Sequence, residues 1–146
     1  MTMWQFAATF FYLGKLPFAP GSWGSLGALI LWFFIPLSYP LQLMANIMLF
    51  SVGVISSKKM AVAMNDNDPS EVVIDEAAGM GIALFMLPHN IAIYSMAFIL
   101  FRIFDIFKPS FIYRVQNIPN GWGIMLDDVL AGIITWLICW GILTIL

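Results

Sequence analysis

Two pairs of adjacent carboxylates and one segment that contains two cations are the residues of this chain best suited to chemistry. Asp75 is followed by Glu76, and Asp127 is followed by Asp128. Between the pairs, the segment 102–108 has an arginine, an aspartate and a lysine at intervals of three residues. Oxygen ligands without cysteine or histidine suit a hard cation such as Mg²⁺, and arginine and lysine suit a phosphoryl group. This set of residue types predicts metal-assisted chemistry on a phosphate.

The same residues also have structural interpretations, which the sequence leaves open. Arg102 and Asp105 are three residues apart and can pair on one helix. Asp127 and Asp128 can stabilise the start of the last helix, although two adjacent aspartates repel each other and favour a cation between them. The small residues at 20–25 leave backbone N–H groups free for a phosphate, or they form an ordinary entry into a helix.

The composition predicts that these residues belong to an integral membrane protein. Of 146 residues, 62% are apolar and only 10% are charged, whereas a soluble domain has about 45–50% apolar and ~25% charged residues. The net charge of −2 argues against nucleic-acid binding. A single cysteine excludes an internal disulfide framework. Because no long polar linker divides the chain, residues 1–146 are expected to form one domain.

Five apolar stretches approach the ~20 residues that a membrane helix needs. They are separated by turn residues at 38–40, 88–90 and 117–123, and a shorter apolar stretch at 4–13 is expected to lie along the membrane interface. The predicted fold is therefore an all-α membrane bundle of four to five membrane helices with an N-terminal interfacial segment. The first stretch is short, and a re-entrant course for it stays open. The five stretches are about 24–37, 41–57, 72–87, 91–107 and 128–146.

When these stretches are threaded across a bilayer, every charged residue falls on one side. Five of the cations, Lys15, Lys58, Lys59, Lys108 and Arg114, predict that this side is cytoplasmic. The expectation is a multi-pass protein of the bacterial cytoplasmic (inner) membrane with its active site on the cytoplasmic face. A charge at a helix centre costs roughly 2.5–3.5 kcal/mol even on the lenient insertion scale, so charges inside these helix ends call for partners or a function.

Four motifs closely resemble those of the bacterial phosphatidylglycerophosphatase A family. They are KLPFAPGSWGS at 15–25, VIDE at 73–76, FRIFDIFKP at 101–109 and GIMLDDVLAG at 123–132. The resemblance extends from about residue 13 to residue 132. It implies Mg²⁺-dependent removal of the terminal phosphate of phosphatidylglycerophosphate, which yields phosphatidylglycerol and phosphate. The motif residues that it transfers are Pro20, Gly21, Ser22, Gly24, Asp75, Glu76, Arg102, Asp105, Lys108, Asp127 and Asp128.

We assign roles to these residues as expectations. The metal ligands are Asp75, Glu76, Asp127 and Asp128, and the catalytic residues are Arg102, Asp105, Lys108 and Asp127. Arg102 and Lys108 are expected to hold the substrate phosphate and stabilise its charge, together with Lys15, Gly21, Ser22 and Gly24. Asp105 can orient either cation or act at the metal. The nucleophile is left open between a water molecule, which is preferred, and a carboxylate, and the oligomeric state is not predicted.

Two other classes of membrane protein use similar residues. A CDP-alcohol phosphatidyltransferase also uses membrane aspartates and Mg²⁺, but its Asp-Gly-x-x-Ala-Arg signature is absent. A small ion- or proton-coupled transporter would use buried carboxylates, but it should also place polar groups at the bilayer midplane and beyond. Because the charges fall at one face, the pattern favours catalysis at the membrane interface over transport.

Overall fold

Six helices and one short 3-10 turn at Leu13–Lys15 form the part of the chain that is described. The computed structural model describes residues 2–66, 69–108, 114 and 122–145. Across those residues it contains no strand, which confirms the all-α prediction. The predicted turn residues 117–121 lie outside the described residues. The helices are α1 Met3–Ala8, α2 Pro20–Phe34, α3 Tyr39–Met64, α4 Ile74–Ala83, α5 Ile91–Ile106 and α6 Trp122–Ile145.

Local sequence signals explain where several helices begin and end. α2 and α3 both begin with a proline in their first turn, where the missing N–H would have no helical partner. α3 ends at Asn65, which adopts the left-handed conformation with φ 50°. Asn90 caps α5 because its side chain accepts hydrogen bonds from two backbone N–H groups of the first turn, at 2.8 and 3.2 Å. The turns predicted at 38–40 and 88–90 are therefore helix boundaries.

Two helices, α3 and α6, are long and apolar enough to cross a membrane. They have 26 and 24 residues, and only 22% and 28% of their most apolar windows are buried. The core helix of a soluble protein would be mostly buried, so these exposed apolar surfaces suit a lipid environment. α2 and α5 have 15 and 16 residues, fewer than the ~17 that a span needs. By helix length, the predicted count of four to five membrane helices is not confirmed.

α4 is shorter than the apolar stretch 72–87 suggested. It has ten residues and is therefore about 15 Å long. The chain leaves the helix after Ala83, and Met86 adopts a positive φ of 56°. The Gln42 side chain of α3 stabilises this bend by accepting a hydrogen bond from the Met86 N–H at 2.6 Å. A partner 44 residues away thus stabilises the bend that follows the helix, and Pro88 also disfavours a longer helix.

α4 is the central helix of the bundle, and nearly all of its residues are buried. It packs chiefly against α6 and also contacts α2, α3 and α5. The closest approach is at Gly79, where an added methyl carbon would lie 2.5 Å from the backbone oxygen of Asp128. On α6, a methyl carbon on Gly132 would meet the Gly79 carbonyl. The missing side chain of Gly79 therefore allows close packing of α4 on α6.

The N-terminal segment packs against the rest of the molecule. α1 contacts α3, and the Lys59 ammonium lies 4.6 Å from the centre of the Trp4 ring. The carbonyl of Ala8 accepts a hydrogen bond from the Val73 N–H at 2.9 Å. Ala8 and Val73 are fully buried. This segment therefore supports the residues that lead into α4, immediately before Asp75.

Candidate active site

The two pairs of carboxylates and the segment 102–108 meet at one end of the bundle. Asp75 and Glu76 lie in the first turn of α4. Arg102 and Asp105 lie in the last turns of α5, and Lys108 follows that helix. α6 contributes Asp127 and Asp128 in its second turn. The close packing of α4 on α6 brings the two pairs together, so residues 52 positions apart in sequence share one site.

Two cations pair with the carboxylates of α5 and α6, and Lys108 contacts both helices' carboxylates. Arg102 donates through Nη1 to Asp105 Oδ2, and Lys108 donates through Nζ to Asp127 Oδ2. The same ammonium lies 3.6 Å from Asp105 Oδ1. Asp127 also accepts a hydrogen bond from the Asp128 N–H at 2.8 Å. Asp105 therefore contacts both cations, and the pairing of Arg102 with Asp105 that the sequence allowed is present.

The carboxylates also form two tight groups of three. One group consists of Asp75, Asp127 and Asp128, and the other of Glu76, Asp105 and Asp128. Within each group, one carboxylate oxygen per residue lies within 4.8 Å of the others. Like charges this close repel strongly in a buried environment, so such an arrangement favours a cation between the oxygens.

Several polar atoms of the cluster have no hydrogen-bond partner among the described residues. They are Asp75 Oδ1, Glu76 Oε2 and Asp128 Oδ1 on the acidic side, and Arg102 Nε on the basic side. A buried charged group without a partner is costly. The orphaned oxygens fit a hard divalent cation, which takes oxygen ligands, and the orphaned N–H fits an anion. The residues present therefore suit Mg²⁺ together with a phosphate.

The start of α2 borders this cluster. A methyl carbon on Gly21 would lie 2.9 Å from Glu76 Oε1 and 3.0 Å from Arg102 Nη1, so only glycine leaves this space open. A methyl carbon on Gly24 would lie 2.8 Å from the Val73 side chain, which gives Gly24 a packing role. Ser22 lies between them in the first turn, and its N–H donates to the Ala19 carbonyl at 3.1 Å. The small residues predicted to receive the phosphate thus lie at or next to the cluster.

Lys15 lies apart from the other predicted cations. Its ammonium is 4.0 Å from Glu71 Oε2, and both side chains are substantially exposed. Gly14, the preceding residue, packs against the backbone of Glu71. Lys15 is therefore placed beside the segment that leads into α4, whereas Arg102 and Lys108 contact the carboxylate cluster directly. The structure brings together every other predicted metal ligand and catalytic residue.

Lys108 has an environment that keeps it charged. Burial lowers the pKa of its ammonium, but the carboxylates of Asp128, Asp127 and Asp105 raise it more, so the pKa lies above the usual lysine value. Lys108 therefore remains a cation at neutral pH. It balances part of the negative charge of the cluster.

The sequence did not assign a role to Gly132, although this residue helps to set the geometry of the site. Gly132 lies one turn after Asp128 on α6, and its missing side chain lets the Gly79 backbone approach. The available signal was a small residue four positions after an aspartate on an apolar helix. Such spacing places both on one face, but the sequence does not identify the facing helix.

The fold and the site together define a class of protein. This is an apolar all-helical protein with two helices able to cross a membrane, and five carboxylates and two cations gather at one end of the bundle. These groups have the chemistry to contact a phosphate, in a protein whose described residues include helices long enough to cross a membrane.

Comparisons with known proteins identify the family. The family model for phosphatidylglycerophosphatase A matches residues 6–143. Phosphatidylglycerophosphatase A of Escherichia coli K12 is 36% identical over 136 residues, covering 90% of this chain and 78% of that protein. The Haemophilus influenzae protein of the same name is 39% identical over 119 residues, covering 79% and 73%. The chain belongs to the phosphatidylglycerophosphatase A family, as its motifs predicted, and it is an enzyme of the phosphatase class.

A third relative has a different name. A putative phosphatidylinositol-3-phosphatase of Bacteroides thetaiotaomicron is 40% identical over 139 residues, covering 89% of this chain and 87% of that protein. No solved structure matches the chain.

Proposed function

We propose that this protein is a Mg²⁺-dependent lipid phosphatase that converts phosphatidylglycerophosphate to phosphatidylglycerol and inorganic phosphate. Membership in the family supports the reaction. The proposal depends on one observation about the buried cluster. Among the described residues, its atoms without a hydrogen-bond partner include carboxylate oxygens and also the Arg102 Nε–H. Such a cluster is complete only when it contacts a cation and an anion at once, and a metal ion with a phosphate monoester meets both needs.

The metal ligands in this proposal are Asp75, Glu76, Asp127 and Asp128. They come from the first turn of α4 and the second turn of α6, the two helices that pack most closely. A divalent cation bound there supplies positive charge against the phosphoryl oxygens. The rigid contact between the two helices fixes the ligands before substrate arrives, so little reorganisation is needed on binding.

Arg102 of α5 and Lys108, which follows that helix, bind the phosphate. Arg102 is half of an ion pair with Asp105, yet its Nε–H is buried and unpaired, so it can donate to a phosphoryl oxygen. Lys108 adds a second positive charge beside Asp127. Asp105 contacts both cations and holds them in place, which makes it a positioning residue. Gly21 leaves the space next to Arg102 open for the substrate.

The bilayer is the source of the substrate. The charged helix ends lie at one end of the bundle, as expected for a site at the level of lipid headgroups, and the exposed surface of α3 and α6 is apolar. We propose a multi-pass protein of the cytoplasmic membrane with the site facing the cytoplasm. The lysines at the same end of α3, Lys58 and Lys59, support that orientation. An ion or proton transporter is not favoured, because the described acidic side chains do not continue through the bundle.

Phosphatidylinositol 3-phosphate is the second candidate substrate, because one relative is named for it. Both lipids carry a phosphate monoester that the same cations can bind. They differ in the size of the alcohol to which the phosphate is attached, a linear glycerol in one case and an inositol ring in the other. Relative turnover of the two lipids decides between them.

The test is phosphate release by the purified full-length protein in detergent micelles. The two lipids are supplied separately, each with Mg²⁺ or with EDTA, and free phosphate is measured. We expect metal-dependent release that is faster from phosphatidylglycerophosphate. Faster phosphate release from the inositol lipid would identify phosphatidylinositol 3-phosphate as the preferred substrate. No release from either lipid would overturn the proposed lipid phosphatase function.

Variants of the aspartates on α6 test the site. Asp127→Asn and Asp128→Asn keep the side-chain shape but remove a charge, and we expect each to lower phosphate release by at least ~100-fold. Asp66→Asn is the matched control, because Asp66 is exposed and belongs to neither carboxylate group. Near-wild-type turnover in both site variants would show that the metal assignment is wrong.

A further inference from the structure

One aspartate belongs to both groups of carboxylates. Asp128 lies with Asp75 and Asp127 in one group and with Glu76 and Asp105 in the other. It is 1% exposed, so its carboxylate is enclosed by the other members. A carboxylate has two oxygens and can accept from two partners at once. Its position between the groups is that of a ligand shared by two cations.

The unpaired oxygens are distributed over both groups. Asp75, which is 6% exposed, has an unpaired oxygen in the first group, and Glu76 has one in the second. Asp128 also has an unpaired oxygen, Oδ1, among the described residues. A single cation in the first group would have no ligand from Glu76, and a single cation in the second group would have none from Asp75. Two cations give both of these carboxylates a metal to bind.

The net charge of the cluster also favours two cations. Five ionised carboxylates and the two cations Arg102 and Lys108 leave three negative charges. One divalent cation would leave one negative charge, which repels a phosphate dianion. A second divalent cation makes the site positive by one charge, and it then attracts the dianion. With all five carboxylates ionised, two divalent cations therefore suit a phosphate dianion better than one does.

We propose that the cluster binds two divalent cations and that Asp128 is their shared ligand. The first ion is held with Asp75 and Asp127, and the second with Glu76 and Asp105. The inference rests on the proposed function for the identity of the substrate, but the number of ions follows from the cluster itself. Paired ions about 3.5–4 Å apart are common in phosphatases, and a shared carboxylate allows such an approach. Asp105 thereby gains a role as a ligand besides orienting Arg102 and Lys108.

The test counts bound ions without using catalysis. Mn²⁺ replaces Mg²⁺ as the probe, and the full-length protein in detergent is titrated in the absence of any lipid. Bound Mn²⁺ is measured by elemental analysis after removal of free metal, and its electron paramagnetic resonance spectrum reports coupling between neighbouring ions. We expect two Mn²⁺ per chain at saturation and a coupled spectrum.

Variants separate the two groups. Asp75→Asn removes a ligand of the first group, and Glu76→Gln removes a ligand of the second group. Each of these two variants is expected to bind one Mn²⁺ with an uncoupled spectrum. Asp128→Asn is expected to lose the coupled signal and at least one ion. Asp66→Asn keeps the wild-type values because it lies outside both groups. Circular dichroism of each purified variant checks that its helices are retained.

Saturation at one Mn²⁺ per wild-type chain would overturn the inference, and this measurement needs no variant. Two ions with an uncoupled spectrum would overturn the shared role of Asp128. Two Mn²⁺ bound by Glu76→Gln would overturn the second site. Failure of the proposed function looks different: coupled binding of two ions with no phosphate release from lipids would support the inference and refute the substrate.

Discussion

Adding one methyl group at Gly79 tests whether the close contact between α4 and α6 sets the geometry of the site. In Gly79→Ala, the new carbon would lie 2.5 Å from the Asp128 backbone oxygen and 2.7 Å from the Phe101 ring, whereas ordinary contacts begin at 3.4 Å. Because a backbone oxygen and a buried ring cannot swing aside, α4 must move away by about 1 Å. The move displaces Asp75 and Glu76 from the aspartates of α6.

The magnitudes follow from this displacement. Overpacking costs typically 1–3 kcal/mol, and the better helix propensity of alanine returns up to ~1 kcal/mol. The net loss of about 1–2 kcal/mol should lower the unfolding temperature by roughly 2–8 °C. Catalysis should suffer more, because a misplacement of about 1 Å at a reacting site can lower the rate by ~100-fold.

The assay compares Gly79→Ala with Gly141→Ala in detergent. Gly141 lies in α6, and apart from its neighbours in that helix no described atom is within 4 Å of the position that its methyl carbon would take. Unfolding is followed by circular dichroism on heating, and turnover by phosphate release with saturating lipid and Mg²⁺. We expect Gly141→Ala to match the wild type in turnover and to equal or exceed it in stability. If Gly79→Ala also matches the wild type in both measurements, the argument from close packing is refuted.

Two further substitutions separate positioning from stability. Gly21→Ala places a methyl carbon against the flexible ends of Glu76 and Arg102, so we expect turnover to fall by at least ~10-fold with an unchanged unfolding temperature; unchanged turnover would contradict the role of the open space. Gln42→Ala removes the acceptor of the buried Met86 N–H and should cost about 1–3 kcal/mol of stability. Because this bond lies at the opposite end of α4 from Asp75, turnover per folded molecule should stay at the wild-type value, and a loss of turnover without a loss of stability would refute this assignment.

The sequence predicted the helices better than it predicted their lengths. Composition alone indicated apolar helices, and the prolines and Asn90 marked the starts of α2, α3 and α5, because these signals act within one turn. The length of α4 was wrong because Gln42, distant in sequence, stabilises the bend after Ala83. Hydrophobicity continues through that bend, so no periodic pattern records it.

The candidate residues could be chosen from the sequence because buried charges are expensive in an apolar chain. Seven of the fourteen Asp, Glu, Lys and Arg residues fall in three of the four motifs, at positions that the structure brings to one cluster. Lys15 was grouped with them because it was predicted to lie at the same membrane face, and its ammonium lies 4.0 Å from Glu71 Oε2. Spacing along the chain cannot distinguish a charged residue of the cluster from one outside it, because it does not show which helix ends are neighbours in the fold.

What the sequence alone determined is the chemical nature of this protein: an apolar helical chain, the residue types for a metal and a phosphate, and the motifs of a family. Each depends on composition or on neighbouring residues. Only the tertiary structure decided that Lys108 donates to Asp127 of α6 and that Asp128 is common to two groups of carboxylates. Those facts depend on the rotation and separation of α4, α5 and α6, which Gly79 and Gly132 set by allowing backbone contact. The contacts between these helices cannot be predicted from the sequence of any one helix, because each contact depends on residues of both partners.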